Sequence, residues 1–418
     1  FGVASGDPDH ESVILWTRLA PKPLEPGGGM PKAPVEVHWE IAEDNSFKKI
    51  VQSGKVNATP ELGHSVHIEP RDLKPDHWYS YRFKSGDAIS PVGRTRTLPA
   101  PDASPDKLRF AVTSCQNFEA GLFTAYQQMA ADKPDFVFHL GDYIYEYASG
   151  RNGKVRTHQG PEIESLDQYR IRYAQYKGDK DLQAMHAACP WFVTWDDHEF
   201  DNNCANDISE QEGIDTAKFL IRRANAYQAY YEMMPLRTSS LPVGPNMTLY
   251  RKGSFGTLAE FFILDTRQYR SDQPNGDRHS PLNTAATNPR QTLLGKAQRK
   301  WLFDSLSGSK GTWNILAQQV MMALVDRSKV NSPAAYSMDQ WPGYAHERKV
   351  LLNHLQDHKI NNPVVLTGDI HSNWANELRV DDFKPDQALV ASEFVTTSLS
   401  SGGNGSSQFK GLDEFLGR

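Results

Sequence analysis

The chain is poor in cysteine. Its 418 residues hold three, Cys115, Cys189 and Cys204, so a disulfide framework is excluded and at least one thiol is unpaired. No apolar run reaches the length of a membrane span. Basic charge is not in excess either. The net charge is -6, a poor match for a phosphate backbone, and no nucleic-acid groove is indicated. There is no internal repeat, and low complexity is confined to linkers. Nothing in the residues fixes an oligomeric state. What remains is ordinary for a globular protein, with 23% charged and 39% hydrophobic residues. The length is too great for one ordinary core, so two domains are expected.

Residues 1–100 read as all-β. Short strand-like runs recur (SVILWTRL, VEVHWEIA, GHSVHIE, WYSYRFK), separated by Gly, Pro, Asn and Asp turns. Their spacing predicts a sandwich of the fibronectin or immunoglobulin type. Residues 101–107 are rich in Pro and Asp and read as a linker. From 108 to 418 the pattern changes. Nearly continuous apolar runs now alternate with helical segments, which predicts an α/β domain whose sheet is covered on both faces. In such folds ligands sit off the carboxyl ends of the strands.

Four of those strand ends carry chemistry: SCQ at Ser114–Gln116, GDYIY at Gly141–Tyr145, WDDHE at Trp195–Glu199 and GDIH at Gly368–His371. A lone Gly-Asp is usually a turn. Here all four clusters follow apolar strands, and all supply metal-ligand atoms.

In this order the clusters resemble the motifs of the calcineurin-like metallophosphoesterases. Asp142 matches that superfamily's bridging aspartate. Asp197-His198-Glu199 stands where Asn-His-Glu/Asp is expected, and Asp369-x-His371 where His-x-His is expected. The first motif, Asp-x-His, is missing, and Cys115 occupies its place. These departures resemble a narrower group, the alkaline phosphatase D (PhoD-like) phosphodiesterases, which include a phospholipase D type. VASGDPDHESVILWTRL, HLGDYIYEY, VTWDDHE and LTGDIHSNW all look like that family, and the likeness covers essentially the whole chain. It implies a double-sheet αββα sandwich preceded by the all-β domain.

The resemblance also implies two metals. Cys115, Tyr145, His371 and Asp142 would surround one ion. Thiolate with phenolate suits Fe(III), and Gly-Asp-x-x-Tyr recurs in purple acid phosphatases, where that tyrosine binds ferric iron. Asp142 as bridge with Asp197 and Asp369 makes an all-oxygen site that fits Ca(II), with Zn, Mn or Mg as alternatives for either site. Two bridged ions would activate a shared water and orient a phosphate, so the expected nucleophile is hydroxide and no phosphoenzyme is needed. His198 is the expected general acid, oriented by Glu199.

Blander readings stand beside these. Cys115 also reads as a small buried hydrophobe, and Tyr145 as packing with an ordinary hydrogen bond. Tyr143 and His139 read as core, and Cys189 and Cys204 as bystanders. Asn203, like Asn202, reads either as a turn residue or as reaching the hard metal or the phosphate. Arg156, His158 and Arg267 read as solvated loop residues or as contacts to substrate phosphate. The aromatics of YSMDQWPGY (Tyr336–Tyr344) line a substrate rim or tuck into the core.

The function expected from the resemblance is a secreted metal-dependent phosphodiesterase and alkaline phosphatase. It would hydrolyse phosphate esters and release inorganic phosphate for scavenging. A phosphomonoesterase, a phospholipase D-type enzyme and a non-catalytic secreted binding protein are the rivals. Export or cell-wall association through a cleaved twin-arginine leader is likewise expected from the resemblance, since the chain starts at Phe1 without such a segment. Family members look longer at the carboxyl end, so a chain that is truncated, clipped or naturally short after GLDEFLGR is a further expectation from the resemblance.

Overall fold

The structure is a computed structural model that describes residues 1–403 except 154, 329, 330 and 385. The terminal GLDEFLGR lies outside the described residues.

The amino-terminal hundred residues form eight strands: β1 (Val3–Gly6), β2 (Ile14–Arg18), β3 (Val35–Ala42), β4 (Ile50–Ala58), β5 (Ser65–Ile68), β6 (Trp78–Ser85), β7 (Ala88–Ile89) and β8 (Gly93–Arg96). There follow β9 (Phe110–Thr113), α1 (Ala125–Ala131), β10 (Phe136–Leu140), α2 (Leu166–Lys177), α3 (Lys180–Ala188), β11 (Trp191–Thr194) and α4 (Thr216–Met233). The remainder is β12 (Arg251–Phe255), β13 (Ala259–Ile263), β14 (His279–Ser280), α5 (Gly295–Ser307), β15 (Trp313–Ala317), β16 (Tyr336–Ser337), α6 (Ala345–Asp357), β17 (Pro363–Thr367), β18 (Trp374–Leu378) and β19 (Ala391–Val395).

Two six-stranded sheets lie face to face, in the orders β5-β2-β1-β11-β10-β9 and β12-β13-β15-β17-β19-β18. Phe136, Phe138 and Phe192 of the first meet Phe261 and Ile315 of the second. Burying one such side chain contributes about 1.5–3 kcal/mol, so this layer holds the two sheets together. Helices α1–α4 cover the outer face of the first sheet, where Val137, Trp191 and Val193 join Tyr173, Met185 and Tyr230. Helices α5 and α6 cover the second, where Leu316 and Val365 join Leu302 and Leu351. This is the αββα sandwich expected from the sequence, with one helix, α3, that the sequence did not announce.

A second layer of pairing links the two halves of the chain. Strands β3, β4, β6, β7 and β8 form their own five-stranded sheet, but β1, β2 and β5 belong to the first large sheet. Strand β1 pairs in parallel with β11, Gly6 opposite Trp191. Val37, Ile41, Tyr81 and Phe83 pack against Val3, Val13 and Leu15. The linker is also pinned, since Thr257 N–H donates to the Ala103 carbonyl at 2.8 Å.

Parallel registry brings the strand ends level. Thr113 lies opposite His139, and Leu140 opposite Thr194. In the other sheet Leu366 lies opposite Ala317 and Phe394. Two glycines let these ends close on one another. A Cβ on Gly141, whose φ is +104°, would meet the Asp196 Cβ at 2.4 Å, and one on Gly368 would meet the Ser114 Oγ at 2.7 Å. The glycines of both Gly-Asp pairs are therefore required by close approach.

Candidate metal centre

The four strand-end clusters converge. Cys115, Asp142, Asp369 and His371 all adopt left-handed backbone, with φ of 57°, 56°, 64° and 56°. Such conformations in residues with a Cβ each cost on the order of 1–3 kcal/mol and persist where the surroundings over-determine them. Here the loops are tied beyond the strands: Cys115 N–H donates to the Gly141 carbonyl at 3.1 Å and Gln116 N–H to the Asp142 carbonyl at 3.0 Å.

Two groups of ligand atoms share Asp142. The Cys115 thiol, an Asp142 carboxylate oxygen and a His371 ring nitrogen lie within 4.8 Å of one another, as do oxygens of Asp142 and Asp197 with a His198 ring nitrogen. Tyr145 joins the first group, its hydroxyl 3.0 Å from Asp142 Oδ2 and 3.3 Å from His371 Nε2. His371 Nδ1 faces the Gly402 carbonyl at 2.8 Å, which leaves Nε2 turned inward. Asp369 stands outside the second group. One terminal nitrogen of Arg267 serves both Asp197, at 3.7 Å, and Asp369, at 3.5 Å.

The donor set fits cations. Among the described residues, Asp142 Oδ1 is buried with no hydrogen-bond partner, and so is Asp196 Oδ2. Asp142, Asp196, Asp197 and Asp339 are buried, Asp369 nearly so, against the guanidiniums of Arg267 and Arg270. Burial pushes Asp142 well above the usual carboxylate range and Asp369 up to about 6. Burial also raises the Cys115 thiol and the Tyr145 phenol, with the Asp142 carboxylate adding to both. An acid excess of this kind is costly unless positive charge is supplied.

Several roles expected from the sequence change. Glu199 does not orient His198. Its carboxylate accepts from the backbone N–H groups of Asp142 at 3.0 Å, Tyr143 at 2.5 Å and Asp196 at 2.8 Å, locking two motifs together. The carboxylate on His198 is Glu146, 2.8 Å from Nδ1. Burial opposes protonation of His198, but Glu146 and then Asp197 outweigh it and push the imidazole well above its ordinary range. Glu146 lies in the same stretch as Asp142 and Tyr145, yet no pattern marked it out.

Arg267 is not a substrate contact. It is 0% exposed and engages Asp196, Asp197, Asp339 and Asp369. Arg156 is spent on Asp179 and on the Phe118 and Gly121 carbonyls. His158 is buried against the Tyr176 hydroxyl at 2.9 Å, and that hydroxyl accepts from Tyr145 N–H at 3.2 Å, so its contribution is to the wall behind the site. Asn203 reaches the site through its backbone, donating to Asp197 Oδ2 at 2.7 Å, while its side chain bonds Asp277. The Tyr336–Tyr344 aromatics are core, and the residues of that loop that matter are Asp339, on Arg267 and Arg270, and Gln340, which donates to Asp369 Oδ2 at 3.1 Å. Tyr143 packs and bonds His186, and Cys189 and Cys204 are buried and unpaired.

Comparison with known proteins shows the family. Residues 110–414 match the PhoD-like phosphatase family and residues 1–99 match its amino-terminal domain. The chain belongs to the PhoD-like phosphatase family. It is 53% identical over 420 residues to alkaline phosphatase D of Bacillus subtilis (strain 168), covering 100% of this chain and 72% of that protein. A solved structure described as "Structure of PhoD" superposes with a TM-score of 0.95 at 52% identity, over 99% of this chain and 80% of the other. As a PhoD-like phosphatase the chain is a phosphoric ester hydrolase, and its substrates are phosphate esters.

Proposed function

We propose that this PhoD-like phosphatase is a two-cation phosphodiesterase acting outside the cytoplasm. One observation carries the two-cation reading: Asp142 is buried, lies with Cys115 and His371 on one side and with Asp197 on the other, and has an oxygen with no hydrogen-bond partner among the described residues. Cys115, Tyr145, His371 and Asp142 combine thiolate, phenolate, imidazole and carboxylate, a set suited to Fe(III). Asp142, Asp197 and Asp369 offer oxygens alone, which suit Ca(II). When bound, such a pair supplies Lewis acidity that lowers the pKa of water and neutralises charge on the phosphoryl group. Export rests on kinship with alkaline phosphatase D.

The residues of the chain supply the rest. Hydrolysis breaks the P–O bond to the alcohol, and the leaving oxygen needs a proton. His198 holds one, with Nδ1 committed to Glu146 and Nε2 as the nitrogen left to deliver it. Glu199 fixes the backbone of Asp142 against that of Asp196, so the bridging and hard-site carboxylates move as one body. Arg267 keeps Asp197 ionised: burial opposes charge there, and the guanidinium overcomes it.

Elemental analysis of the purified protein with its visible absorption spectrum tests the metals. One Fe with Ca and a visible charge-transfer band is the expected result, and a colourless protein holding only zinc would sink it. Hydrolysis of bis(p-nitrophenyl) phosphate faster than p-nitrophenyl phosphate is expected of a diesterase, and the reverse order would make it a monoesterase.

A further inference from the structure

Arginines are the natural ligands of phosphoryl oxygens, but only where the guanidinium is not already committed. Near this site most are committed. Arg267 and Arg270 are held by Asp339, and Arg172 by the Tyr145 and Tyr147 carbonyls. Arg327 differs. It is half-buried, and among the described residues no carboxylate or carbonyl lies on its guanidinium, whereas Arg172 and Arg270, which also keep a buried Nε without a partner, have terminal nitrogens engaged.

Its position is fixed by its surroundings. Arg327 N–H donates to the Ala335 carbonyl at 2.7 Å, and Asp326 Oδ1 accepts from the Ala335 N–H at 3.1 Å. Ala335 leads directly into β16, which pairs with β14. Three residues past β16, Gln340 holds Asp369 Oδ2. The base of the Arg327 loop is thus bolted to the hard-cation wall. Burial lowers the Arg327 pKa and the Asp369 carboxylate pulls it back, while burial and then Arg327 lower His279 on β14. The guanidinium therefore lies within electrostatic range of Asp369, a candidate metal ligand. With a cation on Asp369, that carboxylate no longer balances it, and the anion the arrangement lacks is the substrate's.

We propose that Arg327 binds the phosphoryl group of the substrate, donating to its non-bridging oxygens from the Asp369 side of the site. The proposal rests on the phosphoesterase reading.

The test uses Arg327→Met and Arg327→Lys in the metal-loaded protein. Inorganic phosphate binding is measured by calorimetry, and KM for bis(p-nitrophenyl) phosphate and bound metal are measured on the same samples. In the Met variant the phosphate Kd and the KM are expected to rise roughly ten- to hundredfold, the range for losing charge-assisted hydrogen bonds, with metal content unchanged. The Lys variant is expected to fall between, since a point charge replaces a planar fork. Phosphate affinity within about twofold of wild type in the Met variant overturns the proposal. So does loss of bound metal in both variants, which would make Arg327 a support of the metal site. A wild-type protein that binds no phosphate overturns it as well. Phosphate binding that depends on Arg327 without any ester hydrolysis would instead remove the phosphoesterase reading and leave the anion site standing.

Discussion

The two halves of the metal centre are built in opposite ways. The hard half, Asp197 and Asp369, is framed from the protein interior by Arg267, Asp339 and Gln340, all buried. The soft half, Cys115, Tyr145 and His371, is closed by one late stretch of chain. Ser401 Oγ donates to the Tyr145 hydroxyl at 2.7 Å, Ser401 N–H donates to the Cys115 carbonyl at 3.2 Å, and the Gly402 carbonyl faces His371. One half is framed by buried charge, and the other is closed by neutral hydrogen bonds from Ser401 and Gly402. Charged partners that are removed leave uncompensated charge, whereas neutral ones leave only a lost bond.

That difference can be tested from its centre outward. Asp142→Asn strikes both halves, and its loss of activity is expected to exceed the roughly hundredfold typical of an outer partner. Bound metal at both positions should fall with it, and retention of either at full stoichiometry would show that the halves do not share this carboxylate. Arg267→Met strikes only the hard half. It is expected to destabilise the fold by about 3–5 kcal/mol, because the buried aspartates lose their counter-charge. Urea denaturation measures this, and an unchanged midpoint would show that the guanidinium is dispensable. Glu146→Gln leaves every candidate ligand in place and weakens the proton donor. A loss of roughly 10- to 100-fold in kcat is expected for esters with poor leaving groups. p-Nitrophenyl esters, whose leaving group needs little proton assistance, should lose less; equal losses would exclude proton delivery by His198. Ser401→Ala removes one neutral donor from the soft half. A change of about 0.5–1.5 kcal/mol is expected, seen as a shift in the visible band with hard-site metal untouched.

The sequence was legible where chemistry sits at the end of an apolar strand. Cys115, Asp142, Asp197 and Asp369 could be read because strand periodicity stops abruptly at each, and parallel pairing then brings the ends together. What could not be read were partnerships made through space. Glu146 is four residues from Asp142, but only the fold turns it onto His198. Arg267 looked like a loop arginine because exposure is not written locally, and four carboxylates from three other segments surround it. Asp339 and Gln340 were hidden behind the aromatics flanking them. Strand β1 pairs with a strand on the far side of the linker, a contact that no local pattern encodes.

That last contact bears on how the protein avoids sticking to itself. Strand β11 carries the motif that ends in Asp197, and without β1 its hydrogen-bonding edge would lie open beside β10. An open, flat, apolar edge is a template for pairing with another chain. The amino-terminal strands cover the β11 edge and move the end of the sheet outward through β1 and β2 to the four-residue strand β5. The terminal domain therefore shields the catalytic sheet from edge-to-edge aggregation.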